Sequence, residues 1–125
     1  MSNLIKNDSI TTKALKMIAR AWNGKVLKAH STVYHQYLLH TGVTDYKKLK
    51  GNLGVQLMCR YDEEHTYFTV TTYWESVEHI KLYVGDDIDQ AKYYPEDEKY
   101  LIDIQYTLHH YDVLYSENSK QLSIA

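Results

Sequence analysis

The chain contains one cysteine, one proline and one phenylalanine among 125 residues. A lone Cys59 has no internal disulfide partner, so the expectation is a reduced, cytoplasmic protein. No apolar run reaches the length of a membrane span, and the opening MSNLIKNDSITTKALK lacks the hydrophobic centre of a secretory signal. Neither sign of charge prevails. A net charge of −2 sets up no field to hold nucleic acid or an anionic membrane. Metal-binding patterns are also missing: there is no His-Glu-x-x-His, Cys-x-x-Cys or calcium loop. His30, His35 and His40 recur every fifth residue, which scatters them around a helix. His109 and His110 are adjacent in a strand pattern and point to opposite faces. No metal site is expected.

What the chain has in quantity is tyrosine, 13 of its 16 aromatic residues. Tyrosine suits half-buried surfaces such as pocket walls and subunit interfaces. The length fits one domain with a single core over about residues 15–115, flanked by polar tails at 1–14 and 116–125. Lys16 to Trp22 alternates as a strand, and Asn23-Gly24 has the chemistry of a turn ending it. From Val26 to His40 the period becomes helical, with Thr41-Gly42 placed as a C-terminal cap. Val55 to Tyr61 and Thr66 to Trp74 read as a hairpin around Asp62-Glu63-Glu64. The alternation in the first of these makes Cys59 a buried thiol. Ser76 is placed to cap a helix to about Val84, which Gly85-Asp86-Asp87 breaks. Pro95 fits a first helical position, followed by acidic residues suited to the helix dipole. Leu108 to Tyr115 is the last strand.

The order β-α-β-β-α-β predicts a ferredoxin-like α+β fold: a four-stranded antiparallel sheet with two helices on one face. On the third strand Phe68, Val70, Thr72 and Trp74 share one face, and Tyr67, Thr69, Thr71 and Tyr73 the other. Neither set is charged. A second copy covering the free face is the simplest way to keep it from water. RNA-recognition modules share this topology, but their Lys/Arg-Gly-aromatic strand motif and basic surface are lacking.

MIARAWNG at 17–24, YWES at 73–76, VGDDIDQAKYYPED at 84–97 and HHYDVL at 109–114, in that order, resemble the antibiotic biosynthesis monooxygenase family of the dimeric α+β barrel superfamily. The resemblance covers about residues 15–115. It implies a homodimeric barrel with a pocket between helices and sheet in each subunit. It also implies oxidation of an aromatic or enolisable small molecule by molecular oxygen, with no metal or flavin cofactor. Other superfamily members degrade haem, isomerise or decarboxylate small molecules. The haem-degrading branch needs an asparagine, a tryptophan and a histidine where this chain has Ala21, Tyr83 and Tyr93, so haem chemistry is not expected.

Two residues carry candidate catalytic roles. Arg20 can stabilise an enolate or peroxide anion, or else pair with a neighbouring acid. His110, on a strand beside the first, can act as a general base or satisfy an interface hydrogen bond. Candidate pocket walls are Trp22 and Trp74 at strand ends, His79 and Tyr83 on one helix face, and Tyr93 before the proline. Core packing, solvation and an interface edge are their respective alternatives. A ligand-binding or regulatory homodimer without turnover fits the same residues.

Overall fold

The computed structural model describes residues 17–117. The N-terminal arm at 1–14 and most of the tail at 116–125 lie outside the described residues. Strand β1 (Ile18–Leu27) leads through a 3₁₀ turn into α1 (Ser31–Leu38) and, after a π turn, α2 (Thr44–Lys48). The hairpin β2 (Asn52–Tyr61) and β3 (His65–Trp74) follows, then α3 (Val77–Val84), the single turn α4 (Asp97–Tyr100) and β4 (His109–Asp112). The sheet order is β2-β3-β1-β4, every pairing antiparallel. This is the expected ferredoxin-like topology. Among the described residues no helix is long and apolar enough to cross a membrane.

β3 forms because almost every residue is β-branched or aromatic, and its alternation matches the sheet. Thr66, Phe68, Val70, Thr72 and Trp74 are buried while the residues between them are half exposed. Direct register carries the inner face onto β1 at Arg20, Trp22, Gly24 and Val26. Helices cover this face, and the core gathers Trp22, Val26, Tyr34, Leu38, Phe68, Val70, Leu101 and Leu108. The outer face carries Tyr67, Thr69, Thr71 and Tyr73, flanked by Ala19 and Ala21 of β1 and Gln56 and Met58 of β2. At one end of it, Lys25 and Arg60 flank Tyr67, so the charge absent from β3 enters from its neighbours.

Several boundaries differ from the sequence expectation. Asn23-Gly24 is not a turn: β1 runs through it to Leu27, and Val26 is wholly buried strand rather than helix. Gly24 is required by packing. A Cβ there would lie 2.2 Å from the Trp22 ring and 2.9 Å from Leu101. Trp22 therefore sits inside its strand instead of ending it. Gly42 is not a cap either, since the helical path continues as a π turn (Leu39–Val43) and the Tyr46 ring packs 3.4 Å from its would-be Cβ. Cys59 is exposed: it opens into a hollow of about 180 Å³ that separates this end of the edge strand β2 from Ser31, Thr32 and His35 of α1. The last strand spans four residues.

Two helix signals appear as anticipated. The Ser76 Oγ accepts the His79 N–H at 3.3 Å, capping α3. Gly85 closes that helix with φ at 91°, a conformation that L side chains avoid.

Candidate functional site

Arg20 and Trp22 are two apart on β1 and so share the inner face. Antiparallel pairing with β4 sets His110 directly opposite Arg20. Arg20 is 3% exposed. Its Nη2 donates to the Gln90 carbonyl at 2.7 Å, its Nη1 donates to the Ile88 carbonyl, and Nη1 lies 2.9 Å from His110 Nε2. Arg20 thus pairs with the backbone of the Gly85–Gln90 corner, not with a neighbouring acid within ion-pair distance. Burial is the main influence lowering its pKa, partly offset by nearby Tyr46, Tyr83 and Asp89.

An arginine has only donors, so His110 Nε2 accepts, and the imidazole is neutral with its proton on Nδ1. That Nδ1 is 3.4 Å from an Asp89 carboxylate oxygen, without the alignment of a hydrogen bond. Burial first, and then the Arg20 charge, hold His110 below the ordinary imidazole value, with Asp89 pulling the other way. The nitrogen a base would use is already occupied.

A stability signature follows. The unfolded imidazole titrates near pH 6.5, and the folded one below it. His110 therefore contributes fully above about pH 6.5, and that contribution is lost as pH falls through the folded pKa. Urea midpoints for the wild type are expected to drop between pH 7.5 and pH 5 more steeply than those of His110→Gln. Parallel curves would show that His110 accepts protons freely in the folded state.

Between helices and sheet lies a cavity of about 30 Å³, walled by Trp22, Tyr34, Tyr46, Tyr93 and Tyr94 and containing Asp97. That volume holds one or two waters, so an aromatic ligand enters only if a wall moves. The Trp22 Nε1 donates to the Tyr93 hydroxyl at 3.2 Å, their rings meeting edge to face. Of the sequence-predicted pocket residues, Trp22 and Tyr93 line this cavity. Trp74, Tyr83 and His79 do not. Trp74 is fully buried, donates to Thr72 Oγ1 at 2.8 Å and stacks on Tyr83. The Tyr83 hydroxyl is buried with no hydrogen-bond partner, its ring lying 4.4 Å below the Lys92 ammonium. Tyr46 and Tyr94 lie near that hydroxyl, but neither is aligned to bond it. His79 folds back on its own cap, with Nδ1 2.7 Å from Ser76 Oγ.

The residue sequence reasoning missed is Asp97, which it treated only as a charge at a helix start. It is 4% exposed. Its Oδ2 accepts the Tyr94 N–H at 2.6 Å, closing the Tyr94–Glu96 turn that leads into α4. Its Oδ1 accepts the Tyr34 hydroxyl at 2.8 Å. No lysine or arginine lies within ion-pair distance among the described residues, and burial pushes its pKa above the usual carboxylate value. Burial likewise raises Tyr34, Tyr46 and Tyr94, so the cavity is lined by neutral phenols around one carboxylate.

This sheet order, with helices on one face only, defines a ferredoxin-like α+β protein. Among solved structures the chain is similar to a Bacillus cereus protein described as a "putative antibiotic biosynthesis monooxygenase", with a TM-score of 0.57 and 15% identity over 83% of this chain and 99% of that one. At that identity the likeness shows the fold alone. No protein-family model and no curated protein matches the chain.

Proposed function

We propose that the protein is a small oxygenase-like enzyme that oxidises an aromatic or enolisable molecule without a cofactor, acting as a homodimer joined through its outer sheet faces. The observation that carries this reading is the aromatic cavity with an unpaired, buried carboxylate. Oxygen chemistry without a cofactor makes the substrate its own reductant. A base removes an acidic C–H or O–H proton, and the electron-rich anion meets oxygen. For a methylene flanked by activating groups, the carbon loses two hydrogens and gains one oxygen atom. The second oxygen atom leaves as water, and the substrate supplies all four electrons. Apolar walls favour such an anion's reaction over its quenching by water. In this reading Asp97 is the base, Trp22 and Tyr93 are walls, and the segment from Lys92 to Tyr94 moves to admit substrate.

A second reading has a specific observation in its favour: the Arg20 guanidinium is engaged by two backbone carbonyls and by the His110 Nε2. A ligand-binding dimer without turnover needs no free catalytic pair. The two part cleanly under oxygen electrode measurements with a panel of polycyclic phenols, anthrone-like ketones and 1,3-diketones. The enzyme reading expects oxygen uptake stoichiometric with product for at least one compound. Ligands bound and recovered unchanged, with no oxygen consumed across the panel, establish the binding protein instead.

A further inference from the structure

The helix–sheet cavity is small, but the chain holds a larger hollow elsewhere. β4 pairs with β1 only from Ile18 to Ala21. The β1 edge is met again at Lys25, whose carbonyl accepts the Ile102 N–H at 2.8 Å. Between these points the fourth strand is interrupted: the chain leaves the sheet just after Ile102, where Asp103 takes a positive φ of 53°. Gly24 borders the gap, while the space above its Cα on the inner face is taken by the Trp22 ring and Leu101. The result is a hollow of about 470 Å³ wrapping onto the outer face, within the range that small-molecule sites occupy.

Its chemistry is specific. Tyr67, Phe68 and Tyr93 supply apolar walls, while Lys25, Arg60 and His109 stand around the opening. Lys25 is 3.4 Å from the Asp103 carboxylate, which largely compensates its charge. Arg60 has no such partner: among the described residues no carboxylate lies within ion-pair distance of it. Its guanidinium instead lies 3.9 Å above the Tyr67 ring. Stacking fixes the plane of an arginine and leaves its N–H edge free, the geometry that grips a carboxylate with two parallel hydrogen bonds. A cation with no carboxylate in contact, beside aromatic walls, suits a planar ligand with one negative charge.

We propose that this hollow is a binding site for a planar organic monoanion, an aromatic carboxylate or its equivalent, held by Arg60. The site is separate from the helix–sheet cavity, with the Tyr93 ring bordering both, and does not depend on turnover there. It lies on the face assigned above to a second copy, so in that assembly the bound anion sits at the seam between subunits.

Calorimetry with 1-naphthoate and its neutral counterpart 1-naphthamide tests the proposal on the full-length protein. One naphthoate per chain is expected, bound about tenfold more tightly than the amide. Arg60→Gln is expected to erase that preference, and Lys48→Gln on the opposite layer to leave it intact. Should Arg60→Gln not fold, Arg60→Lys decides, since an ammonium keeps the charge but loses the paired hydrogen bonds and weakens the naphthoate preference. Equal affinity for acid and amide, a preference that survives Arg60→Gln, or one that Arg60→Lys leaves undiminished, overturns the proposal. So does a dimer in sedimentation that takes up no naphthoate, because the partner's own side chains then fill the hollow.

Discussion

Replacing Arg20 by methionine is expected to lower the stability of the fold by about 3 kcal/mol. The guanidinium crosses from β1 to the Gly85–Gln90 corner and also meets β4, joining three pieces of chain far apart in sequence. Methionine fills comparable volume, so the loss comes from the polar partners. The Ile88 and Gln90 carbonyls and the His110 Nε2 are left without their donor, at about 1–3 kcal/mol for each buried acceptor left unsatisfied. Water entering beside the exposed corner recovers part of this, which sets the lower total. Arg20→Lys keeps the charge but cannot reach three acceptors, and should fall between. Urea denaturation of the three proteins measures the series. A methionine variant within about 0.5 kcal/mol of wild type would mean the arginine is held for a ligand and not for the corner.

How legible this was in the sequence depends on whether a signal is local. β3 carries its own evidence, because an uninterrupted β-branched and aromatic run has few alternatives. Ser76 likewise announces its helix start within a span of four residues, whereas Pro95 stands in the turn before α4 and not at its first helical position. The juxtaposition of Arg20 and His110 follows from topology alone, since first and last strands are neighbours in this fold. Asn23-Gly24 misleads because the same dipeptide serves a turn or a strand that must make room for a ring. Only Leu101 and the curl of Trp22, both tertiary facts, decide between them. The alternation around Cys59 is real, but burial needs a helix packed against it, and at that end of β2 a hollow stands between the strand and α1. Asp97 was visible as a residue following Pro95. Its burial comes from Tyr34, 63 residues away, and no local pattern encodes that contact.

Asp97→Asn is expected to cut turnover of any oxidisable substrate by at least about 100-fold, the usual scale for losing a positioned general base. The substitution is nearly isosteric but not silent for the fold. Asparagine can still accept the Tyr34 hydroxyl with its oxygen, which turns its amide nitrogen toward the Tyr94 N–H, donor against donor. About 1–2 kcal/mol of stability should go with that, so rates are to be compared well below the variant's melting point. A pH profile separates chemistry from a structural role. Wild-type turnover should rise with pH through a limb above the normal carboxylate range, because burial raises the Asp97 pKa. In the variant that limb should vanish. If the variant keeps the limb, or keeps its rate while folded, Asp97 only ties the turn before α4 to Tyr34. Stability runs in the opposite sense to activity here. A carboxyl whose folded pKa is raised contributes most below its unfolded value, near pH 3.9, and loses that contribution as pH rises through the folded one. The ionised form that a base requires is therefore the form the fold tolerates least. Tyr34 and the Tyr94 N–H reduce that cost by bonding the charge, and a cavity with room for little more than a water keeps solvent from removing it.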